Sequence, residues 1–199
     1  MANGKLVQIL RKQQQLIKVM LVESGFYFEQ GQKRLQILKA QCILQKPGFI
    51  LVSRLKKEKG IRQKMNRFAE TRDKILDAIG HRIVVANLSQ LEKVVKLFTA
   101  FEETPTKSEM LLRNGKLQFP WLRDYRKQDH AGKSQITAVD YDETVHMNRK
   151  VAGKICEIQI MTQALFNRAF VNLSGNVSHA QFARRRANHF SVLRKKAKA

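Results

Sequence analysis

The sequence predicts an α/β (α+β) fold in which helices flank a mixed β-sheet. The chain has 199 residues, of which 43% are hydrophobic, and this is enough for one buried core. Compact β-branched runs, such as His81 to Ala86 (HRIVVA), have the composition of buried strands. Between these runs, apolar residues recur at helical spacing, so strands are expected to alternate with helices.

A helical arm is predicted at the start of the chain. Leu6 to Leu21 carry apolar residues at helical spacing, and a second helix is expected over residues 35–43 after a break near Gly25 and Gly31. Pro47-Gly48 ends the arm. This arm is expected to pack on the domain, to form a dimer or to contact RNA.

The core domain is predicted to begin directly after the arm. Asn87 is a candidate cap for a helix whose apolar stripe includes Leu91, Val94, Val95 and Phe98. The other predicted elements are, in chain order, a strand at 49–53, a helix over 56–75, a strand at 81–86, a turn at 104–108, edge strands at 110–112 and 117–121, strands at 136–141 and 151–161, a helix at 163–172 and a last basic helix at 178–198.

This order of elements predicts three regions. They are an N-terminal helical arm over 1–46, a core domain over 47–175 and a basic C-terminal helix or tail over 176–199. No internal repeat is found, so an array of repeated units is not expected.

The charge of the chain predicts an anionic partner. The sequence has 38 Lys and Arg against 16 Asp and Glu, which gives a formal charge of +22. Such an excess repels itself unless nucleic acid, nucleotide phosphates or an anionic surface is close. The basic residues of the last helix are Arg184, Arg185, Arg186, Arg194, Lys195, Lys196 and Lys198.

Cysteine usage and hydropathy point to a reduced compartment. Cys42 and Cys156 lie far apart and form no metal-ligand pattern, and Cys156 falls among apolar strand residues, which predicts a reduced core thiol. The sequence shows neither a signal peptide nor an apolar run long enough to cross a bilayer. We therefore expect a cytoplasmic protein with no membrane partner.

The segment KICEIQIMT at residues 154–162 predicts a strand with one apolar and one open face. Cys156, Ile158 and Ile160 alternate with Glu157 and Gln159. A carboxylate and an amide on the open face are either surface decoration or part of a site. Two further segments supply groups that could meet them.

Asp77, Gly80 and Arg82 lie where a glycine-containing turn opens the strand at 81–86. Side chains at a strand end can reach a cleft, although a helix C-cap with a solvated acid has the same pattern. Asp77 and Glu157 would be carboxylates on separate strands of one sheet, which is how proteins hold Mg²⁺ on a nucleotide.

A cluster of cations precedes this acid. Arg54 and Lys56 are two residues apart in an extended segment and so face the same side, and Lys64 lies on the following helix. Three such cations can cradle a triphosphate. The alternative is an exposed basic helix, because basic residues are abundant throughout this chain.

Taken in order, these motifs resemble the synthetase domain of the RelA/SpoT family. The family pattern is Arg-x-Lys and a later Lys, then Asp-x-x-Gly-x-Arg, then Lys-Asp-Tyr, then a Gly-Tyr loop, then Glu-x-Gln-Ile-Arg-Thr. The matching residues, which span about half the chain, are Arg54, Lys56 and Lys64; Asp77, Gly80 and Arg82; Arg123, Asp124 and Tyr125; Gly132; and Glu157, Gln159, Ile160 and Thr162.

The resemblance implies a nucleotidyltransferase-like fold and a pyrophosphokinase that moves the β,γ-diphosphate of ATP to a ribose 3′-OH, usually of GDP or GTP. The implied roles are as follows: Arg54, Lys56 and Lys64 bind ATP; Arg82 supports its phosphates or the site wall; Asp77 binds Mg²⁺; Glu157 shares the metal and acts as general base; Gln159 orients the acceptor or Glu157; and Arg123, Tyr125 and Lys133 complete the acceptor side.

The acceptor loop departs from the family pattern. The family continues Gly-Tyr-x-Ser-x-His, whereas Gly132 is followed by Lys133, so the stacking ring and the histidine are both expected to be missing here. Met161 also replaces the usual Arg. The ATP side is therefore predicted to be better kept than the acceptor side.

Three functions follow from these observations. The first is an alarmone synthetase that uses GDP or GTP. The second is a toxin that places diphosphate on the 3′ end of tRNA, which the basic charge and Lys133 favour. The third is a non-catalytic RNA-binding protein on a degenerate synthetase scaffold. A homo-oligomer or a neutralising partner is compatible with each.

Overall fold

The fold is known from a computed structural model, which describes residues 2–28, 47–68, 75–100, 105–110, 122–126 and 144–171. Its helices are α1 (Ala2–Glu23), α2 (Glu58–Phe68), α3 (Leu88–Thr99), α4 (Lys107–Met110) and α5 (Gln163–Phe166). The strands are β1 (Tyr27–Phe28), β2 (Gly48–Leu55), β3 (Ile79–Val85), β4 (Leu122–Asp124), β5 (Thr144–Val151) and β6 (Lys154–Thr162). A 3₁₀ turn (Leu76–Ala78) leads into β3, and a π-helical turn (Asn167–Val171) follows α5.

The described strands form one mixed sheet in the order β1-β2-β3-β6-β5-β4. Pairs β1/β2 and β3/β6 are parallel, and pairs β2/β3, β6/β5 and β5/β4 are antiparallel. The predicted α/β class with a mixed sheet is therefore confirmed. The strand predicted at 81–86 is central, as expected, because β3 has β2 on one side and β6 on the other.

One face of the sheet carries the main hydrophobic core. Ile83, Ile158 and Ile160 are fully buried there, and helices α1 and α3 contribute further apolar side chains. Burial of a residue of this size stabilises the fold by roughly 1.5–3 kcal/mol. From α1 come Ile17 and Leu21, so the first helix belongs to the core of the domain.

Helix α3 begins as the sequence predicts. The Asn87 side chain accepts a hydrogen bond from the backbone N–H of Gln90, which satisfies one of the donors left open at a helix start. Leu91, Val94 and Phe98 are buried at the spacing of one helix face. Because this apolar face packs into the main core, the stripe determines which side of α3 faces the sheet.

The other face of the sheet is divided between an apolar end and a polar end. At the apolar end, Ile50, Val84 and Met161 lie in one row across three strands and pack against Leu165 and Phe166. This contact covers one end of the face. The polar end of the face holds Glu157 and Gln159, because they alternate with the core residues of β6.

The strand predicted over 151–161 is confirmed over most of its length as β6, but its predicted start is wrong. The chain turns at Ala152 and Gly153, whose φ angles are 52° and 71°, and Val151 pairs with Lys154. Two consecutive residues with positive φ fit the tight turn that the twist of a β-hairpin favours. The segment is therefore the end of β5, a two-residue turn and β6, and β5 itself was not predicted.

Other predicted elements differ at their ends. Helix α2 begins at Glu58 and not at residue 56, its described part runs to Phe68, and Ile75 lies outside a helix, while residues 69–74 lie outside the described ones. Lys107 and Ser108 belong to α4 and not to a turn, and Met110 is helical rather than extended. Strand β1 was not predicted. The expected elements at 35–43, 111–112, 117–121, 136–141 and 178–198 lie outside the described residues, as does Cys42.

Cys156 is a buried thiol, as predicted. It is fully buried, and the burial raises the pKa of its thiol well above the ordinary value. None of the described helices combines the length and apolarity that a membrane span requires.

A buried polar network joins α1 to the sheet. His81 accepts a hydrogen bond at Nδ1 from the Ser53 hydroxyl at 2.8 Å and donates from Nε2 to Oε1 of Gln13 at 3.1 Å. The Gln13 amide donates to the carbonyls of Val151 and Lys154, both at 2.8 Å. Neutral His81 satisfies this network, and burial lowers its pKa from 6.5 to about 4.

We expect His81 to make stability depend on pH. Because its pKa falls from 6.5 to about 4 on folding, the unfolded chain binds the proton first, and stability is lost as pH falls through this window. From pH 7 to pH 4.5 the loss is roughly 2.5 kcal/mol. Urea unfolding of the parent protein and of His81→Gln at both values measures it. If both proteins lose the same stability, His81 does not carry the effect.

Candidate active site

The polar end of the open face is built by the register of three strands. Gly80 on β3 lies opposite Arg54 on β2 and opposite Glu157 on β6. A Cβ atom at position 80 would lie 3.6 Å from Arg54 Nε and 3.9 Å from Glu157 Oε2. The glycine therefore lets an arginine and a carboxylate approach each other over the strand, in space that a large side chain would fill.

Asp77 is held by two lysines beside this row. Lys56 Nζ lies 2.5 Å and Lys64 Nζ 2.6 Å from the same oxygen, Asp77 Oδ2. The exposed fractions of the three side chains are 19% for Lys56, 16% for Lys64 and 12% for Asp77. We call these three residues the lysine–aspartate cluster.

Local backbone structure sets the geometry of the lysine–aspartate cluster. The backbone N–H of Lys56 donates to the carbonyl of Ala78 at 2.9 Å, which fixes the end of β2 against the 3₁₀ turn that carries Asp77. Lys64 reaches the same carboxylate from α2, two turns into the helix. A strand end, a turn and a helix thus converge on one carboxylate.

The charges of the cluster act on each other. Burial alone would raise the pKa of Asp77, but Lys64 and Lys56 outweigh it, so the pKa lies below its ordinary value. Burial lowers the pKa of Lys64, with a further contribution from Lys56, although Asp77 and Glu157 oppose the shift. Asp77 is therefore a carboxylate at neutral pH.

The second oxygen of Asp77 is suited to a cation. Oδ1 is buried and has no hydrogen-bond partner among the residues that the structure describes. A buried anionic oxygen without a donor is a ligand that a hard divalent cation prefers. The described residues contain no group of three or more His, Cys, Asp or Glu that could hold a metal, so a cation here would need oxygens from a substrate or water.

Glu157 is oriented by its neighbours on the sheet. Arg82 donates from Nε and Nη2 to Oε1 of Gln159, at 3.1 and 2.8 Å, and Gln159 Nε2 donates to Oε2 of Glu157 at 3.0 Å. The Arg82 guanidinium also lies 3.9 Å from the centre of the Phe170 ring. The chain Arg82–Gln159–Glu157 fixes the direction of the Glu157 carboxylate.

A histidine that the sequence reasoning missed lies on the other side of Glu157. His146 on β5 is opposite Gln159, and its Nδ1 lies 3.7 Å from Glu157 Oε1. The Tyr125 ring meets the His146 ring edge-on, with centroids 4.9 Å apart. The loop after Gly132, where the family histidine is expected to be missing, lies outside the described residues, and His146 is a different histidine that β5 brings to the site.

The alternation in TVHMNRKV could have revealed this histidine. Val145 and Met147 are core residues, so His146 and Asn148 fall on the open face with Glu157 and Gln159. Recognising Ala152-Gly153 as a hairpin turn would have placed them there from sequence alone.

The remaining predicted acceptor residues are only partly described. Arg123 pairs through its backbone with His146, and Tyr125 contacts the His146 ring. Lys133 lies outside the described residues. Asp124 is buried and accepts hydrogen bonds from Arg126 Nε at 2.8 Å and Nη2 at 2.6 Å, so its contacts stabilise the strand end.

We expect the lysine–aspartate cluster to contribute to stability. Replacing Asp77 with Ala leaves two largely buried ammonium groups without that partner and should lower the free energy of unfolding by about 2 kcal/mol. Glu58→Ala, which removes an exposed contact to Arg62, should cost less than about 1 kcal/mol. Urea unfolding compares the two. Equal small losses would show that the cluster contributes no more than a surface pair.

Comparison with known proteins identifies the family. A family model described as a region found in RelA / SpoT proteins matches residues 53–181. Small alarmone synthetase 1 from Bacillus subtilis bound to its product pppGpp has a similar fold, at 17% identity over 75% of this chain and 80% of that chain, with a TM-score of 0.41. For smu.1046c from Streptococcus mutans UA159 the identity is 16%, the coverage 85% and 74%, and the TM-score 0.45. A search among curated proteins finds no match.

The family match covers more than half of the chain and includes every site residue described above, from Arg54 to Gln159. It supports a pyrophosphokinase of the alarmone synthetase family, which is the class of enzyme that the motifs predict. The chain belongs to the RelA/SpoT family.

Proposed function

We propose that this protein is an ATP-dependent pyrophosphokinase that transfers the β,γ-diphosphate of ATP to the ribose 3′-OH of GDP or GTP. One observation carries the proposal: Lys64, which binds Asp77 at 2.6 Å, is also close enough to Glu157 for their charges to interact, and Gln159 orients Glu157. Diphosphate transfer needs cations, a metal-binding carboxylate and a base in this proximity.

The donor side of the site would be formed by Arg54, Lys56 and Lys64. Their positive charge suits the phosphates of ATP, and Arg can bind two phosphate oxygens at once. Asp77 and Glu157 would hold Mg²⁺, which when bound would neutralise charge on the phosphates. The unpartnered Oδ1 of Asp77 supports this assignment.

Glu157 would act as general base. The 3′ oxygen of the acceptor attacks the β-phosphorus of ATP while its proton passes to the Glu157 carboxylate. The bond between the β-phosphorus and the α,β-bridging oxygen breaks, and AMP leaves with that oxygen. Gln159 and His146 approach different oxygens of Glu157, at 3.0 and 3.7 Å. Both neighbours therefore restrict the direction in which the base points.

The acceptor side would include Tyr125, His146 and Gln159. The edge-on contact between the Tyr125 and His146 rings supports an aromatic wall next to the base. Arg123 and Lys133 are proposed to bind acceptor phosphates. GDP and GTP are proposed because they are the usual acceptors of the family. Small alarmone synthetase 1, at 17% identity, is described with pppGpp as its product.

A second acceptor, the 3′ end of tRNA, is favoured by charge. The formal charge of +22 and the acid-free basic run of the last residues would bind an RNA backbone strongly. The third possibility is a non-catalytic RNA-binding protein. It leaves the presence of both Asp77 and Glu157 unexplained, because RNA binding alone requires neither carboxylate.

The acceptor is identified by following the label of γ-³²P-ATP. Purified protein and Mg²⁺ are incubated separately with GDP, GTP, adenine nucleotides and deacylated tRNA. Label in GDP or GTP supports the proposal, and label in tRNA alone contradicts it in favour of the second acceptor. Absence of transfer to every acceptor, with Asp77→Ala behaving like the parent protein, favours the non-catalytic function.

We expect Glu157→Gln and Asp77→Asn each to lower the transfer rate by at least about a thousandfold. Each change removes a charge but keeps the size of the side chain, so the loss reports the chemistry and not the packing. Glu23→Gln, exposed at the end of α1, is the matched control and should leave the rate unchanged. A rate within tenfold of the parent for Glu157→Gln would exclude Glu157 as the base.

We expect Gln159→Leu to lower kcat by roughly 10- to 100-fold, with little change in the KM for ATP, because Glu157 loses the donor that orients it. Steady-state kinetics at saturating acceptor measure the two constants. A rise in the KM for ATP at constant kcat would instead show that Gln159 binds ATP and does not orient Glu157.

A further inference from the structure

We propose that Lys56 and Lys64 close the metal site of the nucleotide-free protein, so that the divalent cation binds only together with the nucleotide. The inference rests on the nucleotide-binding part of the proposed function. It concerns the order in which the ligands arrive. The argument uses the contacts of Asp77, the burial of the lysine–aspartate cluster and the balance of charge around it.

The first step is the double contact on Asp77. Both ammonium groups bind the same oxygen, at 2.5 and 2.6 Å, so the one carboxylate already has two counter-ions. A divalent cation that approached Oδ1 would stand close to two fixed positive charges. Because charges at such distances repel strongly where water is scarce, the lysines oppose binding of the cation by itself.

The second step is burial. The three side chains are only 12–19% exposed, so little water is available to hydrate an ammonium group that separates from Asp77. Separation of a buried ion pair is costly unless another partner replaces the lost one. Phosphate oxygens are such a partner for Lys56 and Lys64. The phosphates of the nucleotide can therefore bind Lys56 and Lys64 while Asp77 binds the metal.

The third step is the charge of the surrounding face. The groups gathered here are four cations (Arg54, Lys56, Lys64 and Arg82) and two carboxylates (Asp77 and Glu157), so positive charge is in excess before a ligand arrives. A divalent cation increases that excess, whereas a triphosphate reverses it. The same residues that disfavour the metal alone thus favour the metal with its nucleotide.

The test measures Mn²⁺, a spectroscopic substitute for Mg²⁺, by equilibrium dialysis and electron paramagnetic resonance. The full chain is examined with and without α,β-methylene ATP, in which the bond to be broken is blocked. Dialysis of the analogue without protein corrects for Mn²⁺ held by the analogue itself. We expect the parent protein to retain Mn²⁺ at least tenfold more tightly when the analogue is present.

The variants test the lysines directly. Without nucleotide, Lys64→Met should bind Mn²⁺ at least tenfold more tightly than the parent, Lys64→Arg should behave like the parent, and adding Asp77→Asn to Lys64→Met should abolish the gain. Lys59→Met, on the same helix and exposed, removes the same charge away from Asp77 and is the matched control. Circular dichroism establishes that each variant is folded.

Two outcomes would overturn the proposal. One is tight Mn²⁺ binding by the parent protein without nucleotide, and the other is equal Mn²⁺ affinity in Lys64→Met and Lys59→Met. Should Lys64→Met fail to fold, the comparison of the parent with and without the analogue still decides. These measurements involve no transfer, so an inactive protein with nucleotide-dependent Mn²⁺ binding would contradict the proposed function and leave this inference standing.

Discussion

The parallel register between β3 and β6 is the constraint on which the site depends. It sets Gly80 opposite Glu157 and Arg82 opposite Gln159. A slip of one residue would turn Glu157 and Gln159 into the main core and expose Cys156 and Ile158. The buried face prevents this slip, since each fully buried isoleucine of these strands contributes roughly 1.5–3 kcal/mol. The apolar face therefore fixes the geometry of the polar one.

The polar face balances charge within itself before a ligand binds. Asp77 has two lysines, and Glu157 receives a hydrogen bond from an amide that Arg82 holds. The Glu157 carboxylate is therefore held in one direction before a ligand arrives, as a preorganised site requires. In the proposed order of binding, Lys56 and Lys64 compete with the metal for Asp77.

Much of the fold, and the side of the sheet on which Glu157 and Gln159 lie, could be predicted from the sequence, because both depend on periodicity. Alternation in KICEIQIMT separates Cys156 from Glu157, and a β-branched run marks β3. From the sequence, Lys56, Lys64 and Asp77 could be placed in one site, but the direct contact of both lysines with Asp77 could not be predicted. Which of these cations binds the carboxylate depends on the position of α2 relative to the turn that carries Asp77. The spacing of apolar residues does not contain that information.

The acceptor side could not be predicted in the same way. The alternation of β5 continues into β6 across Ala152-Gly153, so one long strand and a hairpin have similar patterns until the turn is recognised. Once β5 is placed, its alternation puts His146 on the polar face, and the pairing of β5 with β6 brings it next to Glu157. Of the two roles expected for Arg82, support of the phosphates or of the site wall, its hydrogen bonds to Gln159 fit the second.

The most direct test of the central claim is the identity of the nucleotide that ATP leaves behind. A site that transfers diphosphate through Glu157 must release AMP, so we expect one AMP for each acceptor molecule that gains two phosphates. Chromatography of the reaction, with Glu157→Gln in parallel, measures this ratio. Release of ADP, or AMP formed at the same rate by Glu157→Gln, would show that Glu157 does not carry a diphosphate transfer.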